Sequence, residues 1–135
     1  MGELGEALGV LTAILYGVAI ANFFIKWGNR NWVMKLPKES ALRKAYQTLM
    51  KFLVKNHRFF GFGAAAVMVT HVTLQIIFQW VSVTGLIAAG LALVTIALGI
   101  VLFKIKKRTP AMLWAHRGAV IALTIAIIVH LITKR

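Results

Sequence analysis

Four histidines are the residues of this chain whose type and spacing best suit chemistry. They are all the histidines in the sequence, and they bound two matched segments, His57 to His71 and His116 to His130. The two histidines of each segment lie 14 residues apart, which on an α-helix is a rise of about 21 Å and a turn of about 1400°, roughly 40° short of four turns. Both side chains of a segment therefore face nearly the same side of a helix, at two levels. Imidazole nitrogens can bind iron or other metals there, or move protons.

The elements that must position these histidines are membrane helices. The chain has 135 residues, 60% of them hydrophobic, which is too much apolar surface for a soluble fold and leaves room for one domain, residues 1–135. Crossing a bilayer takes about 20 apolar residues. The sequence predicts an all-α, integral membrane four-helix bundle, with spans near 8–26, 59–79, 85–103 and 112–132.

The distribution of charge predicts how the bundle is oriented. Nine of the sixteen basic residues lie between Lys26 and Arg58, and five more lie between Lys104 and Arg117. By the positive-inside rule both segments are cytoplasmic, so the N-terminus, the turn at Trp80–Thr84 and the C-terminus are expected outside, in what we expect to be a prokaryotic cytoplasmic membrane. Because topology accounts for this charge, the net +13 does not indicate nucleic-acid binding.

A basic amphipathic helix is predicted over 38–56, before the second span. Leu42, Tyr46, Leu49 and Leu53 recur at helical spacing, and lysines lie on the opposite side. We expect it to lie on the inner leaflet and to be attracted to anionic lipid, which is favoured over a docking face for a partner protein. No helix breaker separates it from the second span, which leaves open a single bent helix.

The four histidines together favour haem over the alternatives. A lone membrane histidine can equally serve an interhelical hydrogen bond or a proton relay. The second and fourth spans should run in the same direction, which places His57 with His116 at the inner level and His71 with His130 at the outer level. Two pairs at matching depth suit the axial ligands of two non-covalent b haems, since the chain has no cysteine for covalent attachment. Two histidines per level are too few for a closed zinc site, and all three acids lie outside the spans.

Several neighbouring residues are candidates to hold the haems. Arg58 and Arg117 each follow an inner histidine and could pair with propionates, although inner-surface topology explains them equally well. Gly61 could let a flat macrocycle approach the backbone, or could serve ordinary helix packing. At the outer level Lys134 could play the part of the arginines, with Gln75 and Gln79 as weaker candidates. Met68 is interpreted as a core residue, and Tyr16 and Asn22 as interhelical hydrogen-bonding residues.

The run His57-Arg58-Phe59-Phe60-Gly61 through His71, with the glycine-led helix from Gly85 and then His116 through His130, resembles the ferric reductase-like transmembrane domain, a family that includes the NADPH oxidases. The resemblance covers about residues 55–133. It implies two b haems held between two parallel helices and electron transfer across the membrane. This chain has fewer spans than is usual in that family and no G-x-G-x-x-G, so the resemblance implies a separate donor, either a flavoprotein or a quinol.

The sequence therefore predicts a dihaem b-type cytochrome that works with a redox partner protein or a quinone. With both axial positions of each iron filled, electron carriage is favoured over catalysis at the metal. The alternative is a small non-haem transporter or membrane scaffold with structural histidines. The oligomeric state is left open, and an oligomer is compatible with the sequence.

Overall fold

The computed structural model describes residues 2–78 and 82–133, and every regular element among them is helical. Four helices, α1 to α4, are each long and apolar enough to cross a membrane, which confirms the predicted all-α class and the four spans by length and composition. Helices α1, α3 and α4 extend beyond the predicted spans at both ends, whereas α2 starts well before its predicted span and ends at Phe78. A single turn of 3₁₀-helix, Val33–Lys35, lies between the first two helices. The helices are α1 Gly2–Asn31, α2 Ala41–Phe78, α3 Val83–Lys104 and α4 Pro110–Thr133.

The amphipathic segment predicted over 38–56 is helical but is not a separate element. Helix α2 starts at Ala41 and continues without interruption to Phe78, because neither glycine nor proline occurs between Ala41 and Phe60 to stop propagation. The Tyr46 hydroxyl donates to the Ile25 carbonyl at 3.1 Å, so this part of α2 runs alongside α1. Of the two arrangements that the sequence leaves open, the structure therefore has the single helix, which begins at Ala41. Its attraction to anionic lipid stays a prediction.

Helices α1 and α2 form an antiparallel hairpin. His71, near the end of α2, contacts the backbone of Gly5 near the start of α1. His57 lies two heptads earlier on α2, and it contacts the backbone of Ala19, which lies two heptads later than Gly5 on α1. Equal steps in opposite directions along the two helices show that they stay in register between these contacts.

Helices α3 and α4 form a second antiparallel hairpin with the same step. Gly85 lies against His130, and Gly99 lies against His116. Met68, ten residues before the end of α2, packs with Ala92, nine residues after the start of α3, so these two helices are antiparallel as well. The basic end of the bundle, which holds the connections 32–40 and 105–109, therefore carries both His57 and His116. Helices α2 and α4 therefore run in the same direction, as the sequence predicts.

Tyr16 connects the two hairpins halfway between the histidine levels. Its hydroxyl donates to the Val120 carbonyl of α4 at 2.9 Å and lies 2.7 Å from the Thr124 hydroxyl, which confirms the interhelical hydrogen bonding predicted for this residue. The tyrosine also packs against a buried cluster of Met68, Ala92 and Leu123, one residue from each of the other three helices. The core position predicted for Met68 is thus confirmed, since its side chain is 9% exposed.

We expect Tyr16→Phe to lower the free energy of unfolding by about 1 kcal/mol, because buried interhelical hydrogen bonds in membrane bundles contribute about that much. The measurement is SDS-induced unfolding followed by far-UV circular dichroism. Tyr46→Phe is the comparison, since it removes a hydrogen bond within one hairpin instead of between the two. Unchanged stability in Tyr16→Phe would show that this contact does not hold the hairpins together.

Candidate functional site

All four histidines line one cavity along the axis of the bundle. The cavity has a volume of about 1180 Å³ and is lined by residues of all four helices. It extends from Glu6 and Gln75 at one end to Lys26 and Arg108 at the basic end. Binding sites for single small molecules usually measure about 300–1000 Å³. The space therefore suits a large ligand or more than one.

The two histidines of α2 each point one ring nitrogen at α1. His57 Nδ1 lies 3.0 Å from the Ala19 carbonyl oxygen, and His71 Nδ1 lies 2.8 Å from the Gly5 carbonyl oxygen. A carbonyl can only accept, so in both rings Nδ1–H donates and the neutral ring carries its lone pair on Nε2. This is the arrangement of metal-ligating histidines, in which a second acceptor fixes the tautomer and the ring orientation.

The two histidines of α4 turn the corresponding nitrogen toward α3, with less regular partners. His130 Nδ1 lies 3.1 Å from the Thr84 hydroxyl, which is itself 2.7 Å from the Ser82 hydroxyl. His116 faces the backbone of Thr95, but its buried Nδ1 reaches no hydrogen-bond geometry with any residue in 2–78 or 82–133. All four rings therefore direct Nδ1 toward a neighbouring helix, but within the described part of the chain His116 lacks the hydrogen-bond geometry that the other three have.

Three glycines make room for the histidine rings. A Cβ placed on Gly9 would lie 3.2 Å from His71 Cε1, one on Gly85 would lie 3.1 Å from His130 Cε1, and one on Gly99 would lie 3.4 Å from His116 Cε1. The contacts at Gly9 and Gly85 are tighter than nearly all contacts of real Cβ atoms, and the one at Gly99 is at the limit of ordinary van der Waals contact, so the missing side chain lets the rings approach the neighbouring helix. None of these glycines was predicted from the sequence to contact a histidine. Gly85 and Gly99 are separated by the same number of residues as His116 and His130. This equal spacing is the signal in the sequence that could have predicted the glycine–histidine contacts.

Of the residues predicted to help hold the haems, Arg58 and Gly61 line the cavity and Arg117 does not. Arg58 lines the cavity, with its guanidinium 5.2 Å from the ring centre of Phe103 on α3. Arg117 instead stacks on Trp114 at 5.2 Å and is not among the described residues that line the cavity. Gly61 lines the cavity, and a Cβ there would meet no described atom within 4 Å, so there is open space beside it.

The outer polar candidates are only partly described. Lys134 and Gln79 lie outside the described residues. Gln75 lines the cavity near its outer end. Asn22 also lines the cavity, but its side-chain oxygen is buried without a hydrogen bond to any described residue, so the interhelical bond expected of it is not seen in this part of the chain.

The polar residues of the site do not form a multi-ligand metal centre. Within 2–78 and 82–133 there is no group of three or more histidine, cysteine, aspartate or glutamate side chains that could hold a metal ion.

Comparison with models of protein families, with curated proteins and with solved structures gives no match for this chain, so the chemistry of the site has to be argued from its own residues.

Proposed function

We propose that this chain is a dihaem b-type cytochrome that carries electrons across a membrane. The observation that supports this most directly is that all four histidines line one cavity. The histidines lie near opposite ends of α2 and α4, which run in the same direction, so they can act as two pairs at two levels. His57 and His116 would hold the inner haem, and His71 and His130 the outer one. The likeness to the ferric reductase-like transmembrane domain points to the same function.

The backbone contacts of His57 and His71 suit these two residues to bind iron. Donation from Nδ1 of His57 and His71 to backbone carbonyls leaves Nε2 as the ligating nitrogen and raises its basicity. A haem held by these histidines would supply reversible one-electron chemistry. The protein then has to hold the rings in place and keep the site dry.

The middle of the cavity is apolar. Met68, Ala92 and Leu123 pack together there and also line the cavity, and Leu123 is only 3% exposed. The histidines of each helix are about 21 Å apart along its axis. Two cofactors at these levels would divide the path of an electron across a hydrocarbon core of about 30 Å into shorter steps.

A second candidate is a non-haem scaffold or transporter in which the histidines are structural. The bonds from His57 and His71 to α1 favour it, because interhelical hydrogen bonds are a common role for membrane histidines. Those bonds occupy Nδ1, however, and do not by themselves explain why all four rings border one large cavity. Arg58, at the inner mouth of that cavity, is placed to pair with a propionate in the haem proposal, whereas the position of Arg117 supports only a surface role.

The visible spectrum of the purified protein tests the proposal. We expect a dithionite-reduced sample to show the α band of b-type haem, and a pyridine haemochromogen assay to give about two haems per chain, one for each histidine pair. Protein expressed with sufficient haem supply that shows no α band would support the scaffold instead.

A further inference from the structure

The basic end of the bundle is uneven in height. Helix α2 begins at Ala41, more than four turns before His57, whereas α4 begins at Pro110, fewer than two turns before His116. Because these two histidines share a level, the α1–α2 hairpin projects about 15 Å beyond the start of α4. The end of the bundle is therefore a step, with the projecting part of α2 as its wall and the mouth of the cavity as its floor.

Cations line the floor of this step. Five basic side chains from three helices and the α3–α4 connection border the cavity at this end, and no acidic side chain of the described residues borders it there. They are Lys26, Lys55, Arg58, Lys104 and Arg108.

A row of lysines continues these charges up the wall. Lys44 and Lys51 lie eleven and four positions before Lys55, so all three share one face of α2. Lys55 borders the cavity, so the row begins at the edge of the floor and continues along the side of α2. Leu42 and Leu49 lie on the opposite face, and both are more than half exposed.

Little negative charge balances this surface. Glu39 is the only acidic residue between Glu6 and the C-terminus of the sequence. It pairs with Lys44 at 3.1 Å, with both side chains well exposed, and an ion pair of this kind contributes little. Acidic side chains therefore cancel little of the positive charge on the step.

We propose that this step docks an acidic soluble electron-carrier protein over the inner mouth of the cavity, a role that takes the place of the lipid contact predicted for its lysines from the sequence. The inference rests on the proposed function, which requires electrons to enter or leave at this level. The floor cations surround the bundle axis, whereas lipid headgroups surround the perimeter of the bundle. The wall and floor together form a concave basic surface, which complements a rounded acidic protein better than a flat leaflet, and such complementarity speeds association and fixes orientation.

The test measures binding of the full chain, in nanodiscs of phosphatidylcholine, to a purified flavodoxin of net negative charge. We expect Lys44→Glu/Lys51→Glu to weaken binding by about tenfold or more, since reversing two charges turns attraction into repulsion, and added salt to weaken wild-type binding. Both positions are remote from the histidines. Lys35→Glu/Lys38→Glu, in the α1–α2 connection, is the matched control with the same charge change, and we expect an effect of less than about threefold.

Three results would overturn the proposal. The first is no binding by the wild type, and the second is equal weakening by both pairs of substitutions. The third is that Lys44→Glu/Lys51→Glu binds flavodoxin as well as the wild type but binds phosphatidylglycerol vesicles more weakly. That result would show that the lysine row binds lipid. The visible spectrum of the same samples separates this failure from failure of the proposed function, because docking is measured by affinity and haem by absorbance.

Discussion

His71→Ala is expected to remove one haem and leave the other, lowering the haem content from about two per chain to about one. The reason is that His71 and His130 belong to one level, while His57 and His116 belong to the other. The measurement is haem per protein by the pyridine haemochromogen assay, with a potentiometric titration that should change from two midpoints to one.

His116→Ala is the reciprocal variant. We expect it to remove the other haem, so that the midpoint that survives in His116→Ala is the one that is missing in His71→Ala. If both variants kept both haems, the proposed pairing of the histidines would be wrong. Loss of both haems from either variant, in protein that remains monodisperse and helical, would show that the two levels are not independent.

Gly85→Leu is expected to displace His130 and to remove the outer haem while the inner one stays. Even a single Cβ at this position would lie 3.1 Å from His130 Cε1, and a leucine needs far more room than that. Packed interiors absorb such additions poorly, at a typical cost of about 1–3 kcal/mol. The measurement is again the haem content together with the surviving midpoint potential.

Gly90→Leu is the matched control for this prediction, since it makes the same change on the same helix. A Cβ on Gly90 would meet no described atom within 4 Å, so we expect both haems to be retained. If Gly85→Leu also kept both haems, the close approach of Gly85 to the ring would have no bearing on cofactor binding.

Much of the architecture could be predicted because it follows from composition and period. Apolar runs of about 20 residues predict the spans, and the clustering of basic residues predicts which connections share an end. The regular spacing of His57 and His71 then places both rings on one helix face, and the structure shows both of them bordering the cavity.

Other features depend on contacts between helices, which one sequence does not display. The carbonyls that accept from His57 and His71 are backbone atoms, so the identities of Ala19 and Gly5 carried no signal for them. Arg58 and Arg117 look equivalent in sequence, yet one reaches the cavity and the other stacks on Trp114, because their neighbouring helices differ.

The equal steps along α3 and α4 bear on how the helices wind. Gly85, Ala92 and Gly99 recur at intervals of one heptad, as do His116, Leu123 and His130, and this heptad repeat is the pattern of a left-handed supercoil. A straight helix lags by about 20° per heptad, so across two heptads it would misaim the second imidazole by about 40°. A left-handed supercoil would remove that lag and keep both rings in phase with the same neighbour. Inserting one residue between the histidines would rotate the later ring by about 100°, which no gentle winding can absorb.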